Sequence, residues 1–159
     1  MMYESIILMH HWFRWLVLLG GLWLLYFCCS SWYGGKKWDS EVKRLLWSFE
    51  QLFGYQVAFG LALYLGVSPV LKMALSNPQS ISNDPFTRFW TLIHGPAMLA
   101  ALIIFQVGKY FVEKQQGDQR KFQLMSVAMF VTMALIILAI PWPFLSYGRP
   151  LIRLGFWEF

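Results

Sequence analysis

Four long apolar runs, each closed by a polar break, constrain this chain more than any other feature. They cover roughly residues 5–32, 44–67, 89–111 and 122–145. Each meets or exceeds the ~20 residues that cross a bilayer as a helix. The breaks are unambiguous in kind. "YGGKKWDSEVKR" pairs glycines with charge, "SPVLKMALSNPQSISNDPFTR" holds three prolines, and "KQQGDQRK" is fully solvated in character. A soluble domain is about a quarter charged, whereas only 13% of these 159 residues are charged and 58% are hydrophobic. One core cannot hide that much apolar surface. The expected fold class is all-α: a transmembrane four-helix up-down-up-down bundle, forming one domain over residues 1–159. The 19% aromatic content agrees, because aromatic rings favour the headgroup level.

The connections carry further expectations. "VLKMALS" predicts a short helix lying on the membrane surface. The tail "YGRPLIRLGFWEF" is too short and polar to span, and is expected along the interface with Phe156, Trp157 and Phe159 as anchors. Pro141 and Pro143 in "IPWPF" should kink or end the fourth helix. Loops one and three hold Lys36, Lys37, Lys43, Arg44, Lys109, Lys114, Arg120 and Lys121. The other side holds Arg14, Lys72, Arg88, Arg149 and Arg153. Positive residues favour the cytoplasm, so both termini are expected on the outer side of a multi-pass cell (inner) membrane protein. The net charge of +5 is thus a loop charge and not a nucleic-acid footprint. No cleavable signal peptide is expected, because the first run is too long and lacks a basic start. Cys28 and Cys29 are adjacent; neither CxxC nor CxxCH occurs, which removes the usual c-type haem attachment.

Three histidines stand out against this background. His10 and His11 lie early in the first span, and His94 lies early in the third. In an alternating bundle those two helices run parallel, so their first turns share one membrane face. At ~1.5 Å per residue His10 and His94 each lie roughly 8 Å into their spans. Bundle proteins build cofactor sites from facing side chains at one depth. A neutral imidazole on iron needs no water at that nitrogen, which offsets its burial. One haem b, with His10 and His94 as axial ligands, is the expected cofactor. His11 is turned about 100° from His10 and is expected to bond lipid, water or a carbonyl. Arg14 either meets a haem propionate from the same helix face or snorkels outward; Arg149 and Arg153 are further propionate candidates. Met9 and Met98 also lie near these histidines, which leaves a copper site or His/Met ligation open. Gly20, Gly21, Gly60 and Gly66 permit close approach of a helix or a porphyrin edge.

Other polar groups fall inside the spans. Glu50, Gln51 and Gln56 belong to the second, Gln106 and Lys109 to the third. Equal depth on antiparallel neighbours predicts that Glu50 meets Gln106 or Lys109. Such groups serve either as polar glue between helices or as a proton or quinone site. No phosphate loop, HExxH motif or nucleophile elbow is present, so soluble-type hydrolytic and nucleotide chemistry has no basis here.

At "HHWFRWLVLLGGL", "YQVAFGLALYLGVSP", "RFWTLIHGPAML", "QVGKY" and "IPWPFLSYGRPL" the chain resembles a small bacterial family of four-span membrane proteins labelled cytochrome b-like. The resemblance covers nearly the whole chain. It matches His10 before Arg14-Trp15, Gln56 before the Gly-Leu-x-Leu-Tyr run, His94, Trp142 to Phe144, and Gly148 to Pro150. Where that family tends to carry another histidine late in span three, this chain has Gln106, so a second haem is not expected. The layout is more distantly similar to four-span haem-binding protoporphyrinogen oxidases and copper-resistance D-type proteins. The resemblance implies electron transfer by a haem b subunit of a larger respiratory or photosynthetic complex, with a quinone or another membrane subunit as partner. Two rivals stay open: a cofactor-free structural subunit, and a membrane enzyme acting on a porphyrin or quinone.

Overall fold

A computed structural model describes residues 2–151, 153–154 and 157–158. The chain is helical apart from one minimal β-ladder. Helix α1 is Met2–Tyr33 and α2 is Ser40–Leu61, continued by a π-helical turn over Ala62–Val67. Three short helices follow: α3 Pro69–Ser76, α4 Gln79–Asn83 and α5 Pro85–Arg88. A second π-turn, Phe89–Ile93, leads into α6, His94–Glu113, and α7 is Asp118–Ala139. Strands β1, Arg153–Leu154, and β2, Trp157–Glu158, pair antiparallel. Among the described residues, three helices are long and apolar enough to cross a membrane: α1, the run from Pro85 to Glu113, and α7. The second segment joins them only if Ser40–Gly66 and Pro69–Ser76, bent by 45°, are counted together. The polar first half of α2 lowers its apolar content.

Local chemistry explains the boundaries. Asp39 caps α2 by accepting from the backbone N–H groups of Glu41 and Val42, each at 3.0 Å. The Val42 N–H foremost, with that of Glu41, holds the Asp39 carboxyl below its usual range despite the opposing effect of desolvation. Ser68 caps α3 and Asp84 caps α5, each followed by proline at the first helical position, where its missing N–H costs nothing. Hydrogen bonds from Thr87, side chain first, hold the Asp84 carboxyl low as well. Gly35 takes φ +65°, a left-handed conformation that suits glycine, and turns the chain after α1. The surface-helix expectation for "VLKMALS" corresponds to α3, although the connection holds two further short helices. The fourth span ends earlier than the sequence suggests, at Ala139 and not near Leu145. Ile140 precedes Pro141 and is extended, with ψ 131°, because the proline ring excludes the helical region for the residue before it.

The core lies along α1, α2, α6 and α7. The start of α1 lies against the end of α2: Phe13 meets Phe59 at 5.3 Å between ring centroids. Farther along α1, Gly20 faces Leu52 and Phe49. Phe27 meets Phe122 at the other end, at 6.3 Å. Phe49 and Phe105 tie α2 to α6 at 5.3 Å. Two glycines set the tightest approaches between long helices: a methyl on Gly21 would strike Met133, and one on Gly108 would strike Ala128. Small residues at such crossings let helices pack by van der Waals contact alone, as membrane interiors require. Outward faces carry Trp23, Tyr26, Trp47, Tyr55, Tyr110 and Phe130, all exposed. Phe156 and Phe159 of the expected interfacial anchor lie outside the described residues. Trp157 and Arg153 are described as members of the ladder.

Candidate functional site

Three prolines near one end of the molecule each remove a backbone N–H, and the carbonyls so freed position the site. Pro141 cannot donate to Ile137 O; the Trp142 indole N–H does so instead, at 2.9 Å. Pro143 cannot donate to Ala139 O, the last carbonyl of α7. His94 Nδ1 takes it, at 2.8 Å. In the π register of Phe89–Ile93, where His94 N–H reaches Phe89 O, Thr91 O would look to residue 96, a proline. The Tyr64 hydroxyl, from the other π-turn, donates to Thr91 O at 2.5 Å. Buried carbonyls must be satisfied somewhere, and each of these is satisfied by a side chain from a different element or turn. Single π-turns inside helices also recur at functional sites.

His10 reaches the site from α1. Its Nδ1 donates to Gln56 O at 3.2 Å. It does so beside Gly60, where an added Cβ would stand 3.0 Å from His10 Cε1. A carbonyl only accepts, so both His10 and His94 carry their proton on Nδ1 and turn an unprotonated Nε2 elsewhere. This is the arrangement that orients and strengthens an imidazole ligand. The two rings lie 6.3 Å apart between centroids, at 79°. Imidazole nitrogens lie ~2.0–2.1 Å from a bound metal, which sets the centroids of two rings on opposite sides of one ion roughly 6–6.5 Å apart. Among the described residues no three of His, Cys, Asp or Glu gather to hold a metal ion.

The pair faces a cavity of about 230 Å³ whose walls include Val57, Leu61, Met98 and Ile136. Two polar atoms in those walls have no hydrogen-bond partner among the described residues: Gln56 Oε1 and Trp90 Nε1. Gln56 also touches His10 with its side chain, Nε2 to Nε2, at 3.4 Å. Neither contact of Gln56 with His10 was readable from spacing. Trp90 was not singled out in the sequence at all; its position four residues before His94 is the only signal that places it on the same face.

The remaining candidates divide. His11, expected at lipid, water or a carbonyl, is buried, lines the same cavity and lies 3.4 Å from Arg14. Helix α1 has neighbours on more than one side, so a 100° turn does not bring a side chain out. Arg14 lines the cavity but is held by the tail. Its guanidinium donates to Leu151 O at 2.9 Å and lies over Trp15, and Trp15 donates to the same carbonyl at 3.0 Å. It does not simply snorkel. Arg149 also lines the cavity, over the rings of Trp90 and Phe86 at 5.3 and 5.5 Å. Met98 lines the cavity, whereas Met9 is exposed. On two of the same helices, α2 and α6, Glu50 Oε1 accepts from Gln106 Nε2 at 2.8 Å and Oε2 pairs with Lys109. No family model, curated protein or solved structure matches the chain.

Proposed function

We propose that this chain is a four-span, up-down-up-down membrane protein that binds one haem b between His10 and His94 and passes electrons. We further read it as a subunit of a larger respiratory or photosynthetic complex in the cell membrane. One observation carries the reading: two imidazoles from different helices, each tied by Nδ1 to a backbone carbonyl, stand 6.3 Å apart in an apolar cavity. Haem supplies a one-electron couple when bound. The residues supply everything else. His10 and His94 would hold the haem through Nε2, and their carbonyl partners would raise the basicity of those nitrogens. Arg14 and Arg149 stand at the cavity wall to meet propionates; Arg14 retains donors beyond those given to the tail, since a guanidinium has five. Arg153 is a further propionate candidate. The loop charges put both termini, and hence the haem, on the outer side. There electrons pass between an outer donor and a membrane quinone or partner subunit.

The cavity's 230 Å³ lies below the about 300–1,000 Å³ usual for small-molecule sites. A macrocycle seated on both imidazoles must therefore part the walls. A second reading draws on the same hydrogen bonds. They satisfy both Nδ1 groups without any cofactor, as a structural subunit would require.

A reduced-minus-oxidised spectrum of the purified protein separates the two. A b-type alpha band that His10→Ala and His94→Ala each abolish, and that His11→Ala leaves, is the expected result. Protein that is folded, supplied with haem and still without the band sinks the haem reading. Turnover of an added porphyrin or quinol makes the chain an enzyme.

A further inference from the structure

Gln56 is 7% exposed and meets His10 at two points. Its backbone carbonyl accepts from Nδ1, and its side-chain amide lies 3.4 Å from Nε2. The first contact decides the sense of the second. With the proton on Nδ1, Nε2 offers a lone pair, so the amide must present its NH2 there. Amide orientation follows from such a network. Oε1 then points away from His10 and is left without a partner among the described residues. The side chain thus occupies the one nitrogen of His10 able to ligate a metal, and it does so while leaving its own buried oxygen unsatisfied. A buried acceptor left unpaired is costly, so this arrangement suits a side chain that has a second position to take.

We propose that the Gln56 side chain is a positioning residue that occupies His10 Nε2 in the cofactor-free protein and is displaced when haem loads, setting how tightly the site binds. This rests on the haem reading above. Ligation of His10 through Nε2 and donation from Gln56 to that same lone pair exclude one another. Loading therefore includes breaking one neutral hydrogen bond, and a variant without that bond loads more tightly. A neutral hydrogen bond's net contribution corresponds to an affinity change of about two- to tenfold. The backbone carbonyl survives any substitution at Gln56, so the tautomer of His10 is preserved and the side chain is tested alone.

The test titrates the full chain, purified in detergent from haem-starved cells, with ferric protohaem. Gln56→Leu is expected to bind about two- to tenfold more tightly than the wild type. In the cofactor-free protein labelled with ¹⁵N-histidine, the His10 Nε2 resonance should move toward that of a free acceptor in the variant. Gln56→Asn, whose shorter amide does not reach Nε2, should follow Leu, and it carries the test if Leu fails to fold. Unchanged or weaker binding in the variants, or a His10 found protonated on Nε2, overturns this inference and leaves the haem reading standing. No binding by the wild type removes the haem reading, and the inference with it.

Discussion

Gly60 decides whether His10 can approach the backbone of α2 at all. The imidazole sits where any side chain at position 60 would begin, 3.0 Å from Cε1 and 3.5 Å from Nδ1. An added methyl pushes the ring away from Gln56 O, loosening the tautomer lock and displacing Nε2. Overpacking of this kind costs roughly 1–3 kcal/mol. Gly60→Ala is therefore expected to weaken protohaem binding or shift its spectrum, as measured by titration. Gly54, in the same helix, has open space around it, so Gly54→Ala should leave binding unchanged. Equal effects from both would mean that the helix, and not the contact with His10, is being perturbed. The sequence showed glycines able to admit something closely; which of them faces His10 is a matter of helix rotation.

At the scale of elements, proline placement and polar pairing organise different contacts between helices. Pro96, Pro141 and Pro143 are legible as breakers, and counting back four residues gives the carbonyls freed by Pro141 and Pro143; that Thr91 O faces Pro96 follows only from the π register. The side chains that claim those carbonyls come from elsewhere in the fold. Separately, α2 and α6 are joined by Glu50 with Gln106 and Lys109. Equal depth on neighbouring helices was enough to expect that pairing. The Lys109 and Glu50 side chains are 23% and 18% exposed. The pair is thus not fully buried, which keeps it short of the ~3–5 kcal/mol lost when one partner of a fully buried pair is removed. Glu50→Leu and Lys109→Met should each lower stability in detergent by about 1–3 kcal/mol. The double variant should lose less than the sum, since no charge is then stranded. Thermal unfolding measures this, and additive losses would mean that the pair does not couple the helices.

For the molecule as a whole, orientation follows from charge and the level of the histidines follows from orientation. Reporter fusions at Gly35 and Gly117 should read as cytoplasmic, and one after Phe159 as external. The reverse pattern would move His10 and His94 to the cytoplasmic face, because both lie early in their helical runs. The two imidazoles come together, 6.3 Å apart between ring centroids, by a route the sequence did not contain. The two runs begin earlier than the apolar patterning indicates, at Met2 and Pro85 rather than Ser5 and Phe89. The two extensions are nearly equal, so the offset cancels.

The sequence by itself determined the helical class and the breaks between helices. Apolar length, proline and glycine act locally. It did not determine how far each helix is rotated about its own axis. That rotation brought Gln56 onto His10, turned His11 inward, set Trp90 in the cavity wall and gave the Arg14 guanidinium to Leu151 O. A hydropathy pattern that is apolar all round a helix does not distinguish one face from another. Close packing at Gly21 and Gly108, and the carbonyls freed by three prolines, select the face only once all the helices are in place.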